Sequence, residues 1–284
     1  MLKAYLFGAS GGGSRLFDCI QEKFDIVGIV DNDERKWGAK FRDLYVGKPD
    51  ECLMESSYDV VVITSAPGRD SIKKQLLEYG IAENKIITSF IDQPLESRRI
   101  FLQSLSLLMN NIDKEIAVAE AGVFQGDFAQ YINLYFPERR LYLFDTFEGF
   151  ASKDIVLEKS NNFSLAEKDE YNNTSIELVR EKMTYPKQCI FKAGYFPDTA
   201  LESEINDKFC FVNLDMDLYQ PTIEGLRWFG ERMVTGGVIL IHDYFADNFR
   251  GVRQAVDEYM KNRKREELRM MPIGDGISIA ISGF

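Results

Sequence analysis

The strongest constraint on this chain is a pattern that occurs twice: a short apolar strand, a glycine-rich turn, an amphipathic helix, and a second strand that ends in aspartate. The first copy runs Leu2 to Phe7, then Gly8-Ala9-Ser10-Gly11-Gly12-Gly13, a helix from about Ser14 to Lys23, and a strand from Asp25 to Asp31. The second runs Ile116 to Ala119, then Glu120-Ala121-Gly122-Val123-Phe124-Gln125-Gly126, a helix to about Phe136, and a strand from Leu141 to Asp145. Strands that alternate with helices build parallel sheets, since a parallel neighbour needs a crossover long enough to hold a helix. Two such openings predict an α/β protein with two Rossmann-like domains.

In the first unit a β-branched run between Tyr58 and Ser65 reads as a central buried strand. A helix near 70–79 and a short strand near 85–88 complete a domain over residues 1–92. Residues 93–113 contain Pro94 and an apolar-periodic stretch (Ile100, Leu102, Leu105, Leu107, Leu108), read as a helical connector. The second domain spans 114–284. Its residues 151–174 are rich in Lys, Glu, Asn and Ser and read as a long loop or lid. Strands follow near 189–193, 209–215 and 237–242, with helices near 221–233, where Pro221 suits a first turn, and 251–261. The last strands, near 267–272 and 276–282, are joined by Gly274-Asp275-Gly276, a signal for an antiparallel hairpin.

Composition narrows the function. With 34 Lys+Arg against 45 Asp+Glu, the net charge is -11. That excludes phosphate-driven nucleic-acid binding and a polybasic membrane anchor as classes. No apolar run approaches the roughly 20 residues of a membrane span. The opening sequence turns glycine-rich too soon for a signal peptide. The four cysteines include no CxxC pair, so a reducing cytoplasm is the expected setting. The chain has one histidine, His242, which excludes multi-histidine metal sites. Nothing here sets the oligomeric state, and a homo-oligomer is compatible with it.

The turn Glu120-x-Gly122-x-x-x-Gly126 lies where a strand meets a helix. Gly122 permits close approach of a ligand, Gly126 opens the helix without a side chain in the way, and Asp145 can accept bonds from ribose hydroxyls. The spacing does not suit a pyrophosphate, and Glu120 would repel one. A phosphate-free adenosyl group such as S-adenosylmethionine fits better; the plain alternative is an ordinary tight turn. Farther on, Asp215-Met216-Asp217 ends one buried strand and His242-Asp243 ends the next. Both pairs fall at strand carboxyl ends, where open α/β sheets bind ligands. Asp215, His242 and Asp243 can converge on one divalent cation, Mg2+ or Mn2+. Clustered acids without a cation would repel one another. Asp217 can then take a proton from a substrate hydroxyl. The plain alternatives are that Asp217 caps the helix at 221 and His242 is a packing residue. Arg250 and Arg253 can clamp an anionic group or be solvated, and the basic segment 261–269 reads as a solvated helix end.

Six pieces in order carry a family likeness: EAGVFQGDFA (120–129), FDTFEGF (144–150), FKAGYFPDT (191–199), NLDMDLYQPT (213–222), GGVILIHDYF (236–245) and GVRQAVDEY (251–259). Residues 116 to 260 resemble the TylF/macrocin O-methyltransferase family of metal-dependent sugar O-methyltransferases on the class I methyltransferase fold. The resemblance implies S-adenosylmethionine at Glu120, Gly122, Gly126 and Asp145, with Thr146 and the Gly194-Tyr195 turn near the adenosine. It implies a Mg2+-type ion at Asp215, His242 and Asp243, and a general base at Asp217. The chain departs from the family at His242 and Met216, where an acid and a glycine are usual. Residues 1 to 92 resemble the Rossmann-like domain at the front of bacterial sugar acetyltransferases and other surface-polysaccharide enzymes, through LFGASGGGSRL (6–16) and IVGIVDND (26–33). There Gly8, Gly11 and Gly13 can cradle a phosphate and Asp31 can meet a ribose. The expected function is O-methylation of a sugar hydroxyl on a small-molecule or glycan acceptor, in surface glycan or natural-product assembly. The competing readings are an NAD(P)-dependent sugar-nucleotide oxidoreductase or epimerase, and a non-catalytic nucleotide-binding scaffold.

Overall fold

The computed structural model describes every residue except 10, 67, 201–204 and 263–265, so the basic segment 261–269 lies partly outside the described residues. The chain divides into two compact units, Met1–Glu96 and Ser97–Phe284.

The first unit contains β1 (Leu2–Phe7), α1 (Gly11–Gln21), β2 (Phe24–Val30), β3 (Lys40–Phe41), β4 (Leu44–Gly47), α2 (Pro49–Glu55), β5 (Val60–Ile63), α3 (Arg69–Glu78) and β6 (Ile86–Ile87). The sheet order is β3-β4-β2-β1-β5-β6, with β3 antiparallel to β4 and the other pairs parallel. The central strands are apolar and largely buried, as a sheet covered on both faces requires. Next comes α4 (Ser89–Leu108). Pro94 lies inside it rather than ahead of it, so the helix forgoes the bond that an amide there would make.

The second unit adds β7 (Ala117–Ala121), α5 (Ala129–Tyr135), β8 (Leu141–Asp145), α6 (Ser152–Ser160), α7 (Ile176–Lys182), β9 (Cys189–Ala193), β10 (Phe209–Leu214), α8 (Tyr219–Gly230), β11 (Met233–Ile241), α9 (Arg250–Lys261), β12 (Arg269–Pro272) and β13 (Ile279–Ser282). Its sheet order is β12-β13-β11-β10-β7-β8-β9. All neighbours are parallel except β13, which is antiparallel to both β11 and β12, so the sheet ends as the sequence predicts. One face carries Phe144, Phe196, Phe209, Trp228 and Phe229 in mutual ring contact; the other packs Leu102, Phe136, Leu143, Phe211 and Leu240. Each such side chain stabilises the fold by about 1.5–3 kcal/mol through burial.

Two expectations need correction. The β12–β13 hairpin is joined by a six-residue loop, longer than the Gly274-Asp275-Gly276 turn expected between these strands. The buried Asp275 braces it, accepting bonds from the Ile277 and Ser278 amides and from Ser278 Oγ. Residues 151–174 are not a free loop. They contain α6, whose Glu158 is fully buried. Glu158 Oε1 accepts the Tyr219 amide at 2.8 Å, which caps α8 two residues ahead of Pro221, and Oε2 accepts the Ser164 hydroxyl at 2.6 Å. The Arg250 amide donates to Phe163 O at 3.0 Å, fastening the same segment to the start of α9. The polar composition misleads because the buried face of α6 is itself polar. Among the described residues, no helix is long and apolar enough to cross a membrane.

Candidate active site at the carboxyl ends of the second sheet

The chain leaves β7 for β8 on one side and β10 for β11 on the other, so the switch point lies between β7 and β10. Ligands of open α/β sheets bind there. Gly122 follows β7 with φ +84°, and a Cβ would stand 1.9 Å from the Asp215 carbonyl oxygen. What needs the missing side chain is therefore the chain's own backbone, not a ligand. Gly126 (φ +78°) lies ahead of α5 and backs onto Val179, where a Cβ would meet Cγ1 at 2.9 Å; it shapes the turn instead of starting the helix.

Asp145 ends β8 and holds this turn. Its Oδ2 accepts the Val123 and Phe124 amides at 2.7 and 2.8 Å, and its Oδ1 accepts the Phe147 amide at 2.7 Å. A ribose hydroxyl would share these oxygens with the turn. Thr146 Oγ1 donates to Gly149 O at 2.7 Å and organises the next turn. The Gly194 amide donates to Asp145 O at 2.9 Å, so Gly194 stands beside Asp145. Tyr195 turns its hydroxyl to Asp154 of α6 at 3.0 Å, with Lys153 Nζ 3.4 Å from its ring centre.

The acids gather one strand over. One ligand atom from each of Asp215, His242 and Asp243 falls within 4.8 Å of the others. His242 Nδ1 stands 2.9 Å from Asp215 Oδ1 and 2.6 Å from Asp243 Oδ2. Arg98, on α4 and 5% exposed, donates to Asp215 Oδ2 at 3.2 Å and stacks 4.2 Å from the Phe128 ring centre. Burial works to raise Asp215, but His242 and then Arg98 prevail and hold its carboxyl at about 2. Burial works to lower His242, but the Asp215 and Asp243 carboxylates raise it to about 9. Asp217 is pushed well above the usual carboxylate range by burial and by the facing Asp243 and Asp215. Asp217 and Asp243 both adopt left-handed backbone, φ +59° and +58°. Such strain is held where surrounding structure over-determines it, and it concentrates at functional sites.

Arg98 and His242 stand directly against these acids and offset part of their charge. The three donors still fit a divalent ion chemically: two carboxylates and an imidazole suit Mn2+ or Mg2+. Beneath the turn, Glu120 and Asn213 face each other across β7 and β10, and Asn213 Nδ2 donates to Glu120 Oε1 at 2.7 Å. Glu120 is 2% exposed, and burial followed by the Asp215 charge raises its carboxyl strongly. Glu120 Oε2, Asn213 Oδ1 and Arg98 Nε are buried without a partner among the described residues. Such orphans are rare and mark a missing ligand or water. They fit the charged amino-acid end of S-adenosylmethionine.

Sequence reasoning missed Arg98 and Asn213. Arg98 shares a helical face with Leu102 and Leu105, so a charge in register with an apolar stripe was the available signal. For Asn213 the signal was an amide inside a buried strand. Arg250 and Arg253 stay local, donating to Asp247 O and Tyr244 O. In the first unit Asp31 Oδ2 accepts the Ala9 amide at 2.7 Å and pairs with Lys36 at 2.9 Å, while Oδ1 accepts the Asp33 amide at 2.9 Å. It braces its own turn.

A family model described as macrocin-O-methyltransferase (TylF) matches residues 102–273, and one described as C2185-like, N-terminal, matches residues 1–87. A Streptomyces olivaceus protein named 8-demethyl-8-(2,3-dimethoxy-alpha-L-rhamnosyl)-tetracenomycin-C 4'-O-methyltransferase is 27% identical over 155 residues, 50% of this chain and 57% of its own. The chain thus spans little more than half the length of that relative. Among solved structures, the calicheamicin methyltransferase CalS11 is 15% identical with a TM-score of 0.52, over 77% of this chain and 86% of its own. The O-methyltransferase NovP is 20% identical with a TM-score of 0.51, over 66% and 79%. At these identities the likeness is one of fold.

Proposed function

The chain belongs to the macrocin O-methyltransferase (TylF) family, and from that premise we propose that it transfers a methyl group from S-adenosylmethionine to a sugar hydroxyl. The acceptor would be a sugar on a larger scaffold, in surface glycan or glycosylated natural-product assembly. The observation that carries the reading is the convergence of Asp215, His242 and Asp243 beside the turn braced by Asp145. The Streptomyces relative, whose name specifies a rhamnosyl substrate, supports the acceptor class.

Asp215, His242 and Asp243 would hold a Mg2+ or Mn2+ ion, and Glu120, Asp145 and the Gly122–Gly126 turn would hold the donor. When bound, the donor supplies an electrophilic methyl group and the ion a Lewis acid for the hydroxyl oxygen. The chain's own residues do the rest. A sugar hydroxyl is a weak nucleophile until its proton has a destination. Asp217 is that destination: its raised carboxyl is a stronger base than a solvated aspartate once ionised. Asp243 and Asp215 set its basicity from the adjoining strand ends. The Phe124, Tyr171 and Phe150 rings lie edge to face at 5.1 and 5.3 Å, and the Asp217 charge is the largest influence raising the Tyr171 hydroxyl. These rings form an apolar wall by the acids that keeps water from competing with the acceptor. Much of the acceleration would come from holding acceptor oxygen and methyl carbon in line.

The test is product formation. Purified protein is given labelled S-adenosylmethionine and a panel of rhamnosylated compounds and nucleotide sugars, with Mg2+, with Mn2+, or with EDTA. Label in a sugar methyl ether supports the reading, and its loss in EDTA supports the ion. No transfer to any sugar, together with no S-adenosylhomocysteine binding by calorimetry, refutes it.

A further inference from the structure

Arg98 is a buried cation with more donors than partners. A guanidinium offers five N–H donors and stays charged at any pH a protein meets. Arg98 uses one on Asp215 at 3.2 Å, lies over Phe128, and leaves Nε buried and unpartnered among the described residues. Burying a charge that is only partly hydrogen-bonded opposes folding, so the position calls for a further anion.

The sheet shows which anion would arrive there. Asp145, the candidate ribose residue, ends β8, and Asp215 follows β10, with β7 between them. Neighbouring strands lie about 4.8 Å apart, so the two carboxyl ends are separated by about 10 Å. A nucleoside seated at Asp145 and extended across the Gly122 turn brings its other end to β10. Around that end stand the unpartnered oxygens Glu120 Oε2 and Asn213 Oδ1, the Asp215 carboxylate, and two cationic side chains; His242 Nδ1 is already shared by Asp215 and Asp243, and Arg98 keeps a buried donor without a partner among the described residues. Arg98 is close enough to act electrostatically on Glu120, Asp215 and His242. A carboxylate arriving among those acids needs the donor that Arg98 leaves unused.

The geometry points to Arg98 as the residue that receives the carboxylate of the amino-acid end of S-adenosylmethionine, which rests on that molecule being the methyl donor. The pairing also orients the donor, because the guanidinium is held by Asp215 on one side and Phe128 on the other.

Calorimetry on the full chain tests it with two ligands: S-adenosylhomocysteine, which has the carboxylate, and 5′-methylthioadenosine, which lacks it. Arg98→Gln is expected to weaken S-adenosylhomocysteine by about 10- to 100-fold, the range for a charge-assisted bond. The same variant should weaken methylthioadenosine by less than about twofold, because no bond is lost. Equal losses for both ligands, or no loss for either, overturn the assignment and leave Arg98 a support for Asp215. Should Arg98→Gln not fold, Arg98→Lys keeps the charge without the fork, and the same selective loss is expected. If wild-type protein binds no S-adenosylhomocysteine, the donor reading falls and takes this assignment with it; equal losses remove the assignment alone.

Discussion

His242 is the one histidine of the chain, so its titration can be followed alone through the imidazole C–H signals in NMR. Its Nδ1 stands 2.9 Å from Asp215 and 2.6 Å from Asp243. Burial disfavours the imidazolium, but the two carboxylates prevail and raise it from 6.5 to about 9. A tenfold gain in proton affinity corresponds to about 1.4 kcal/mol, so the triad contributes on the order of 3 kcal/mol. That sum belongs to the coupled groups together and is not counted once for each. The folded value lies above the unfolded one, so this contribution is fully present below pH 6.5 and is lost as pH rises through about 9. Asp215 sets the acid side: held at about 2 against 3.8, its share is present above 3.8 and is lost as pH falls through about 2. The assay uses protein labelled in histidine, with EDTA, titrated from mildly acidic to alkaline pH beside urea unfolding at each point. The expected midpoint is near 9, with the urea midpoint falling over the same span. A midpoint at or below 6.5 would refute the reasoning that two carboxylates share this proton. Added Mg2+ or Mn2+ should lower the midpoint, because a ligating imidazole is deprotonated.

Three further outcomes are expected. Gly122→Ala places a Cβ 1.9 Å from a backbone oxygen at φ +84°, where no rotamer change helps. Strain and overpacking together should cost about 2–6 kcal/mol by urea unfolding, and a cost under about 1 kcal/mol would show that β10 yields easily. Asp217→Asn removes the proposed proton acceptor while keeping its shape, so turnover should fall about 100-fold or more. S-adenosylhomocysteine affinity should hold in that variant, and parallel losses would make Asp217 a structural residue. Arg139 is buried and donates to the carbonyls of Met109, Ile112, Asp113 and Ile116. Arg139→Met strands those acceptors and should cost about 3 kcal/mol or more in unfolding free energy; a change within about 0.5 kcal/mol would mean that water replaces it.

The sheets are legible in the sequence because their signal is local. Val60–Ile63 is an unbroken apolar run and Phe209–Leu214 nearly one, and a chain that buries both faces of a strand has few other uses for such runs. The acids are legible as candidates because each ends such a run. What the sequence conceals depends on partners far away along the chain. Arg98 meets Asp215 across 117 positions, and Glu158 meets Tyr219 across 61. Arg98 differs locally from a solvated charge only in its register with Leu102 and Leu105, and α6 is hidden because Asp154 and Glu158 sit where an apolar face would be expected. The turn glycines stand out for a sound reason, backbone freedom, but their neighbour is not the expected one. The space Gly122 leaves open is filled by Asp215.

That last contact has a consequence for how this protein can change. The Asp215 amide donates to Ala121 O at 2.8 Å while its carbonyl presses on Gly122. The loop that would grip the methyl donor and Asp215, which would hold the ion for the acceptor, are therefore joined backbone to backbone. A substitution that relaxed one would dislocate the other, so the two tasks cannot be tuned independently here.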